Sequence, residues 1–534
     1  MNSRGWARSI RTAVAVILLI ALPLAPALII SRAPLDLLRL PAESIVATIL
    51  LSLLPWRSAR VVVALLFGVV VASAMLAAGL DAGYEAALDI PFDPTDASQL
   101  TDAFGVLRSS IGGAAAVAVL AGLIVVALGV VAAVAWAGLR VGAAVRAVRA
   151  RGFVVLAAAS AVWLAAAAVG APLAASASLA SLDSTAQQAA ETQEAVAKLP
   201  SEISTDAYAG VPASQLLTAL RGKDVVLAFI ESYGQVAVQG TSFSSGVDQE
   251  LQSGQTQLAA EGYSAQSAFL TSPTFGGLSW LAHSTLESGL WIDKQPIYSK
   301  VIRSARFTLS DAFRKAGWKT VSDVPSDTQP WPFGTSFYHF GSLLTANNVG
   351  YQGPAFGYAR IPDQYTWKYF ADHELNGPHQ PVMAEIDLVS SHTPWASLPK
   401  LVPWSKLGNG SVFEAQPAQG NSATEVWQSA QGVQQAYGQS VQYSLGAMFS
   451  FLKNVDDPNL VVIALGDHQP ATIVSGSGAN HDVPISIIAK DPTVFRSIAG
   501  WHWQRGVMPS PTAPVWRMDT FRDRFLSAFD QKPQ

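Results

Sequence analysis

The apolar residues of this 534-residue chain are crowded into its first third. Long runs of Ala, Val, Leu and Ile fill residues 1–177, whereas the remainder has an ordinary globular composition with many Trp, Gly and Pro. A bilayer-spanning helix needs about 20 predominantly apolar residues. Five stretches approach or meet that length, at about 10–31, 41–56, 59–81, 112–139 and 151–176, the second being short and bounded by Pro41 and Pro55. The first does not read as a cleavable signal peptide, because its apolar run is long and the stretch from Arg32 to Arg39 lacks a small-residue cleavage site. The expectation is an integral membrane protein whose residues 1–177 form a multi-pass α-helical domain.

The charges between these stretches set an orientation. Arg4, Arg8 and Arg11 precede the first, Arg57 and Arg60 separate the second and third, and Arg140, Arg146, Arg149 and Arg151 separate the fourth and fifth. With five spans all three sets fall on one side, which the positive-inside rule makes cytoplasmic. The loop at 82–111 carries Glu85, Asp89, Asp93, Asp96 and Asp102 against a lone Arg108 and falls on the other side. An odd span count sends everything after residue 177 out of the cell, placing the C-terminal part at the outer face of the plasma membrane. Residues 178–222 are rich in Ala, Ser, Gln and Glu, with a Pro at 200, and read as a helical linker.

Residues 223–534 are long enough for a sizeable domain of their own. A net charge of −4 gives no electrostatic footprint for nucleic acid. The absence of cysteine excludes disulfides, thiolate metal sites and a Cys nucleophile. Apolar runs at Val225–Ile230, Val382–Val389, Leu460–Leu465 and Val483–Ile488 read as strands. Helical patterns at Leu309–Ala316, closed by Gly317, and at 424–453 alternate with them. This is an α/β pattern with helices on both sheet faces. In open α/β sheets, ligands gather at the carboxyl ends of strands.

Four patches fall there or nearby. Glu231 follows the first strand, where a carboxylate is costly unless it is paired or bound to a cation. Asp467 and His468 follow the strand Leu460–Leu465 and offer a hard oxygen beside an imidazole, a donor set for Zn, Mn or Mg. Ser279 opens a helical segment just after Gly276-Gly277, where its hydroxyl is either a helix cap or a nucleophile held against an anionic ester. Thr274 is the rival hydroxyl. His392, in Ser-Ser-His-Thr-Pro-Trp, and His481, in Asn-His-Asp-Val-Pro, are candidates for protonating a leaving oxygen or stabilising a transferring group. His283, one helical turn after Ser279, is assigned a supporting or structural role.

In order along the chain, these patches resemble the sulfatase/alkaline phosphatase superfamily, in particular membrane-anchored phosphoglycerol transferases of the lipoteichoic acid synthase type. The strand ending Ile-Glu-Ser-Tyr-Gly is similar to the family's first metal-ligand strand. The run from Ser279 to Ser288-Gly289 has the nucleophile-to-glycine spacing and favours Ser279 over Thr274. His392 matches a substrate-side histidine loop, and Leu-Gly-Asp-His-Gln-Pro with His481-Asp-Val-Pro matches the late metal pair and last active-site histidine. The resemblance implies an α/β alkaline-phosphatase-like (sulfatase-like) extracytoplasmic domain. It also implies a divalent metal, Mn, Zn or Mg, on Glu231, Ser279, Asp467 and His468. Ser279, His392 and His481 would be catalytic, on a membrane lipid or cell-envelope glycopolymer substrate. The Ser-Trp-Leu-Ala-His sequence at the nucleophile lacks the Pro and Arg that direct formylglycine formation in true sulfatases. Phosphoester transfer or hydrolysis is therefore the leading expectation. A sulfatase, or an inactive envelope-binding membrane protein, is the alternative.

Overall fold

The computed structural model describes residues 3–31, 39–95, 104, 113–171 and 174–530. Asp96, Asp102 and Arg108 of the acidic loop, and residues 32–38 after the first apolar run, lie outside the described residues. The chain divides into two compact units, one of residues 1–86 and 90–194, the other of residues 87–89 and 195–534.

The first unit is helical. Its elements are α1 (Ser3–Ser31), α2 (Ala42–Leu53), α3 (Arg57–Leu88), α4 (Gly113–Ala147) and α5 (Ala150–Ala168). Four of them contain segments long and apolar enough to cross a membrane, Trp6–Ile30, Arg57–Ala86, Gly113–Ala147 and Ala150–Ala168. The second expected span is instead the 12-residue helix α2. At 1.5 Å per residue it is about 18 Å long, short of the roughly 30 Å hydrocarbon core. Side chains such as Leu123, Ile124, Val125, Val126 and Leu128 of α4 are exposed. An apolar surface of that kind suits a hydrocarbon solvent, since each helix satisfies its own backbone hydrogen bonds. Helix α6 (Ala177–Ser204) carries the chain into the second unit.

The second unit is built on a nine-stranded mixed sheet. Its strands are β1 (Asp224–Ile230), β2 (Ser264–Thr271), β3 (Lys319–Val324), β4 (Ser342–Thr345), β5 (Val382–Leu388), β6 (Leu460–Gly466), β7 (Asp482–Ala489), β8 (Gln504–Arg505) and β9 (Val515–Arg517). The order is β8-β2-β7-β6-β1-β5-β3-β4, with β9 also pairing β2. The centre, β6-β1-β5-β3, is parallel, and β7 runs antiparallel to both β6 and β2. Alternate residues of the central strands enter opposite cores. Val225, Leu227 and Phe229 pack in one, with α8 (Ser279–Ser288), α9 (Leu309–Ala316) and α12 (Phe521–Phe529). Val226, Ala228 and Ile230 pack in the other, with α7 (Ser244–Ala260), α10 (Asp363–Glu374) and α11 (Ala430–Asn454). A strand buried on both faces must be apolar at every position, which is why β1 and β6 are continuous apolar runs.

The four expected strands are present, and α9 closes on Gly317 at φ 102°. The expected helix at 424–453 is two helices, Ala423–Val426 and α11. Its break is set by Ser429, whose extended backbone caps α11 through the Gly432 N–H. The sheet adds β2, β3, β4, β8 and β9 to the four expected strands. Sequences such as the Lys-Thr-Val-Ser-Asp-Val of β3 carry too many polar side chains to read as buried strands.

Candidate active site and metal centre

The parallel register sets the site. Ile230 pairs with Gly466 and with Leu388, so the residues just beyond β1, β6 and β5 emerge side by side. Glu231 leaves β1 with its N–H donating to the Leu388 carbonyl at 3.1 Å. Its own carbonyl accepts from Ser391 Oγ at 2.6 Å. Asp467 leaves β6 and folds back, its Oδ1 accepting the N–H groups of Ser232 and His468, each at 2.7 Å. Gly466 permits this crossing, since a Cβ there would meet the Tyr233 carbonyl oxygen at 1.9 Å.

Ser279 is brought in by the loop after β2. Ser272 Oγ donates to the Asp467 carbonyl at 2.6 Å, and Gly276 N–H donates to the Gln469 carbonyl at 2.8 Å. This stitches the loop along residues 467–469 and delivers Ser279 as the first residue of α8. Leu278, just before it, has φ 63°, and Ser232, just after Glu231, has φ 57°. Left-handed backbone at non-glycine residues is costly and persists where surrounding contacts over-determine it. Here it aims one nucleophile candidate and one carboxylate.

The result is a tight constellation. Ser279 Oγ lies 3.1 Å from Glu231 Oε2 and 3.2 Å from His468 Nε2. His468 Nε2 lies 3.4 Å from Glu231 Oε1 and 3.5 Å from Asp467 Oδ2. His468 Nδ1 is 2.8 Å from the Gln469 carbonyl, which can only accept, so Nδ1 carries a hydrogen and Nε2 faces the cluster. The nitrogen-to-carboxylate distances exceed a good hydrogen bond. They match donors spaced tetrahedrally about one cation, which at about 2.1 Å from the ion stand about 3.4 Å apart. Glu231, Asp467 and His468 each offer an atom within 4.8 Å of the others, so the donor set fits a divalent metal.

The electrostatics agree. Burial pushes the Glu231 carboxyl up, but His392 and His468 together overcome this and hold it below the usual range. Burial lowers the His468 imidazole, while Asp467 and Glu231 outweigh that and carry it to about 9. Burial and then the Glu231 charge push Asp467 up. Two carboxylates and one imidazole thus share a buried space with a deficit of positive charge.

These residues open onto a cleft of about 270 Å³. Glu231, Ser279, His392 and Asp467 line it, together with an aromatic wall that includes Trp331, Tyr298, Tyr338 and Tyr358. His392 is half-buried, stacks on Tyr358 at 3.6 Å between ring centroids, and has Nδ1 2.6 Å from the Thr393 carbonyl. His481 is not among the residues lining this cleft. Its carbonyl accepts from Ser272 N–H at 2.9 Å, and its ring lies 5.3 Å from that of Phe275. Thr274 is buried beside Ser272, its Oγ1 3.4 Å from the Ser272 hydroxyl, away from the cleft.

Sequence reasoning overlooked Glu385 and Asp387, which also line the cleft. Two acids at alternate positions of an otherwise apolar strand share one sheet face, and that spacing was the available signal. Burial raises Glu385 to about 8. Burial, set against the His283 charge, leaves Asp387 at about 7. Glu287 rises to about 8, through burial and then repulsion from Glu385.

No family model and no curated protein matches this chain. Solved structures do. The integral membrane lipooligosaccharide phosphoethanolamine transferase EptA from Neisseria meningitidis aligns over 98% of this chain and 95% of its own at 12% identity, with a TM-score of 0.48. The lipoteichoic acid synthase LtaP from Listeria monocytogenes aligns over 64% of this chain and 79% of its own at 12% identity, TM-score 0.35. The Streptococcus pyogenes phosphoglycerol transferase GacH, solved with sn-glycerol-1-phosphate, aligns over 64% of this chain and 91% of its own at 13% identity, TM-score 0.36.

Proposed function

We propose that this protein is a metal-dependent enzyme that transfers or hydrolyses phosphate esters of a membrane lipid or cell-envelope glycopolymer. The arginine distribution would put the second unit at the cell exterior on the five-span count, in which the short helix α2 is also a crossing. The observation that carries the reading is the placement of Ser279 Oγ within 3.2 Å of both the Glu231 carboxylate and the His468 imidazole.

Glu231, Asp467 and His468, with Ser279, would hold the ion, which supplies positive charge that lowers the hydroxyl pKa and offsets charge on a transferring phosphoryl group. The chain's own residues do the rest. Ser279 Oγ gives its proton to the Glu231 carboxylate it donates to and attacks phosphorus, forming the Oγ–P bond as the bond to the leaving oxygen breaks. The N-terminus of α8, which Ser279 opens, favours an anionic phosphoryl group beside the hydroxyl. His392, at the cleft rim, protonates the leaving oxygen, and Tyr358 fixes its ring. An acceptor alcohol or water then takes the phosphoryl group from Ser279. His481 is assigned to the charge-stabilising role only if substrate reaches beyond the cleft walls.

Purified full-length protein supplied with Mn, Zn or Mg should turn over phosphatidylglycerol or a chromogenic phosphodiester. Mass spectrometry of the Ser279 peptide should find unmodified serine at rest and a phosphorylated adduct on quenching. Formylglycine at Ser279 would instead mark a sulfatase. Turnover retained in Ser279→Ala would end this reading.

A further inference from the structure

We propose that His283, Glu385 and Asp387 form a second divalent-cation site, on the wall of the same cleft as the Ser279 constellation. His283 Nδ1 lies 3.4 Å from Glu385 Oε1 and 3.6 Å from Asp387 Oδ1. Those separations are again too long for good hydrogen bonds and close to the roughly 3.4 Å of tetrahedral donors around one ion. The three donor atoms lie within 4.8 Å of one another.

Several buried polar atoms here have no hydrogen-bond partner. Among the described residues these include Glu385 Oε2, Asp387 Oδ1, His283 Nε2 and Glu287 Oε1. Glu385 is only 4% exposed and Glu287 fully buried. Buried polar atoms without partners are costly, and with no Lys or Arg among the residues lining the cleft, burial keeps these acids protonated until a cation replaces the protons. A divalent cation would satisfy the ligands together.

The placement is built into the fold. Phe229 of β1 and Asp387 of β5 are register partners, as are Leu227 and Glu385. His283 stacks on Phe229 with 3.8 Å between ring centroids and a 14° interplanar angle, which fixes the imidazole over the two acids. Ser279 and His283 are separated by one turn of α8, so the helix presents one residue to each centre. Behind Glu385, Glu287 Oε2 is held by the Ser310 N–H at 2.8 Å. One imidazole with two carboxylates is a donor set for Zn or Mn, and one side of it opens to the cleft.

The test is a metal count on full-length protein in detergent, stripped with a chelator and re-equilibrated with Mn²⁺ or Zn²⁺. Wild type should hold two ions per chain, Asp387→Asn one, Asp467→Asn one, and the double variant none. His283→Gln and Glu385→Gln should repeat the Asp387→Asn result, and gel filtration with circular dichroism shows which variants fold. A single ion in wild type, kept by Asp387→Asn and lost by Asp467→Asn, overturns this proposal and leaves the reading of Ser279 intact. A single ion kept by Asp467→Asn and lost by Asp387→Asn supports this site and sinks the other. A wild-type count of one together with methylammonium binding that Asp387→Asn abolishes also overturns it, in favour of an ammonium pocket.

Discussion

Ser279 Oγ and His468 Nε2 stand 3.2 Å apart although 189 residues separate them along the chain. The imidazole is aimed by its Nδ1–H on the Gln469 carbonyl, and the hydroxyl by the loop hydrogen-bonded to that same carbonyl through Gly276. One backbone oxygen therefore orients both partners. Removing the hydroxyl in Ser279→Ala should lower kcat by about 10³-fold or more while the protein remains folded. Steady-state turnover of a phosphodiester, with thermal melting as a control, checks this.

Asp467 does two jobs, since its Oδ1 receives two backbone N–H groups while Oδ2 faces His468. Asp467→Asn keeps an oxygen of similar shape but loses the charge, so metal occupancy at this site should fall with only modest destabilisation. Asp467→Ala should lose occupancy and also about 1–3 kcal/mol, because two buried N–H groups lose their acceptor. Inductively coupled plasma analysis and chemical denaturation separate the two effects.

His392 stacks on Tyr358 at the cleft rim. If it protonates the leaving oxygen, His392→Gln should cost about 10²–10⁴-fold on an alkoxide leaving group. On a p-nitrophenyl ester, whose leaving group needs no proton, the loss should be several-fold. Equal losses on both substrates would argue that the ring only positions substrate.

Asp363 lies at the start of α10, its Oδ1 accepting from Ser390 N–H at 2.9 Å, and burial carries its carboxyl to about 6 against the hydrogen bonds from Ser444 and Ser390. The folded value lies above the unfolded one, so the native state holds this proton more tightly. Its contribution is therefore complete below pH about 4 and is lost as pH rises to about 6, with an upper size of about 3 kcal/mol. Asp363→Asn keeps the acceptor and cannot ionise. Relative to wild type it should become more stable as pH rises through that window, measured by denaturation midpoints from pH 4 to 7.

Gly466 has no room for a side chain, the Tyr233 carbonyl lying 1.9 Å from where a Cβ would stand. Gly466→Ala must displace the β1 or β6 exit, and both carry ligand candidates. It should destabilise by about 1–3 kcal/mol and reduce metal occupancy, whereas Gly222→Ala, with open space around it but φ 78°, should leave occupancy unchanged.

The membrane-type apolar helices, the α/β character of the second unit, and the strand ends bearing Glu231 and Asp467-His468 are legible in the residues alone. Those features are local: an apolar run long enough to span hydrocarbon, or one buried on both sheet faces, is visible residue by residue. The sequence also singles out Ser279 beside Thr274 but cannot choose between them without a resemblance. The choice of facing is tertiary, because the stitch of residues 272–276 to 467–469 leaves Thr274 buried and delivers Ser279 to the cleft. Register decided the rest. Pairing β1 with β5 sets Asp387 beside Phe229 beneath His283, a meeting of three segments that no spacing along the chain encodes. Hydrogen bonding between parallel strands fixes such neighbours only once the sheet order exists, so those groups were legible as residues and not as a site.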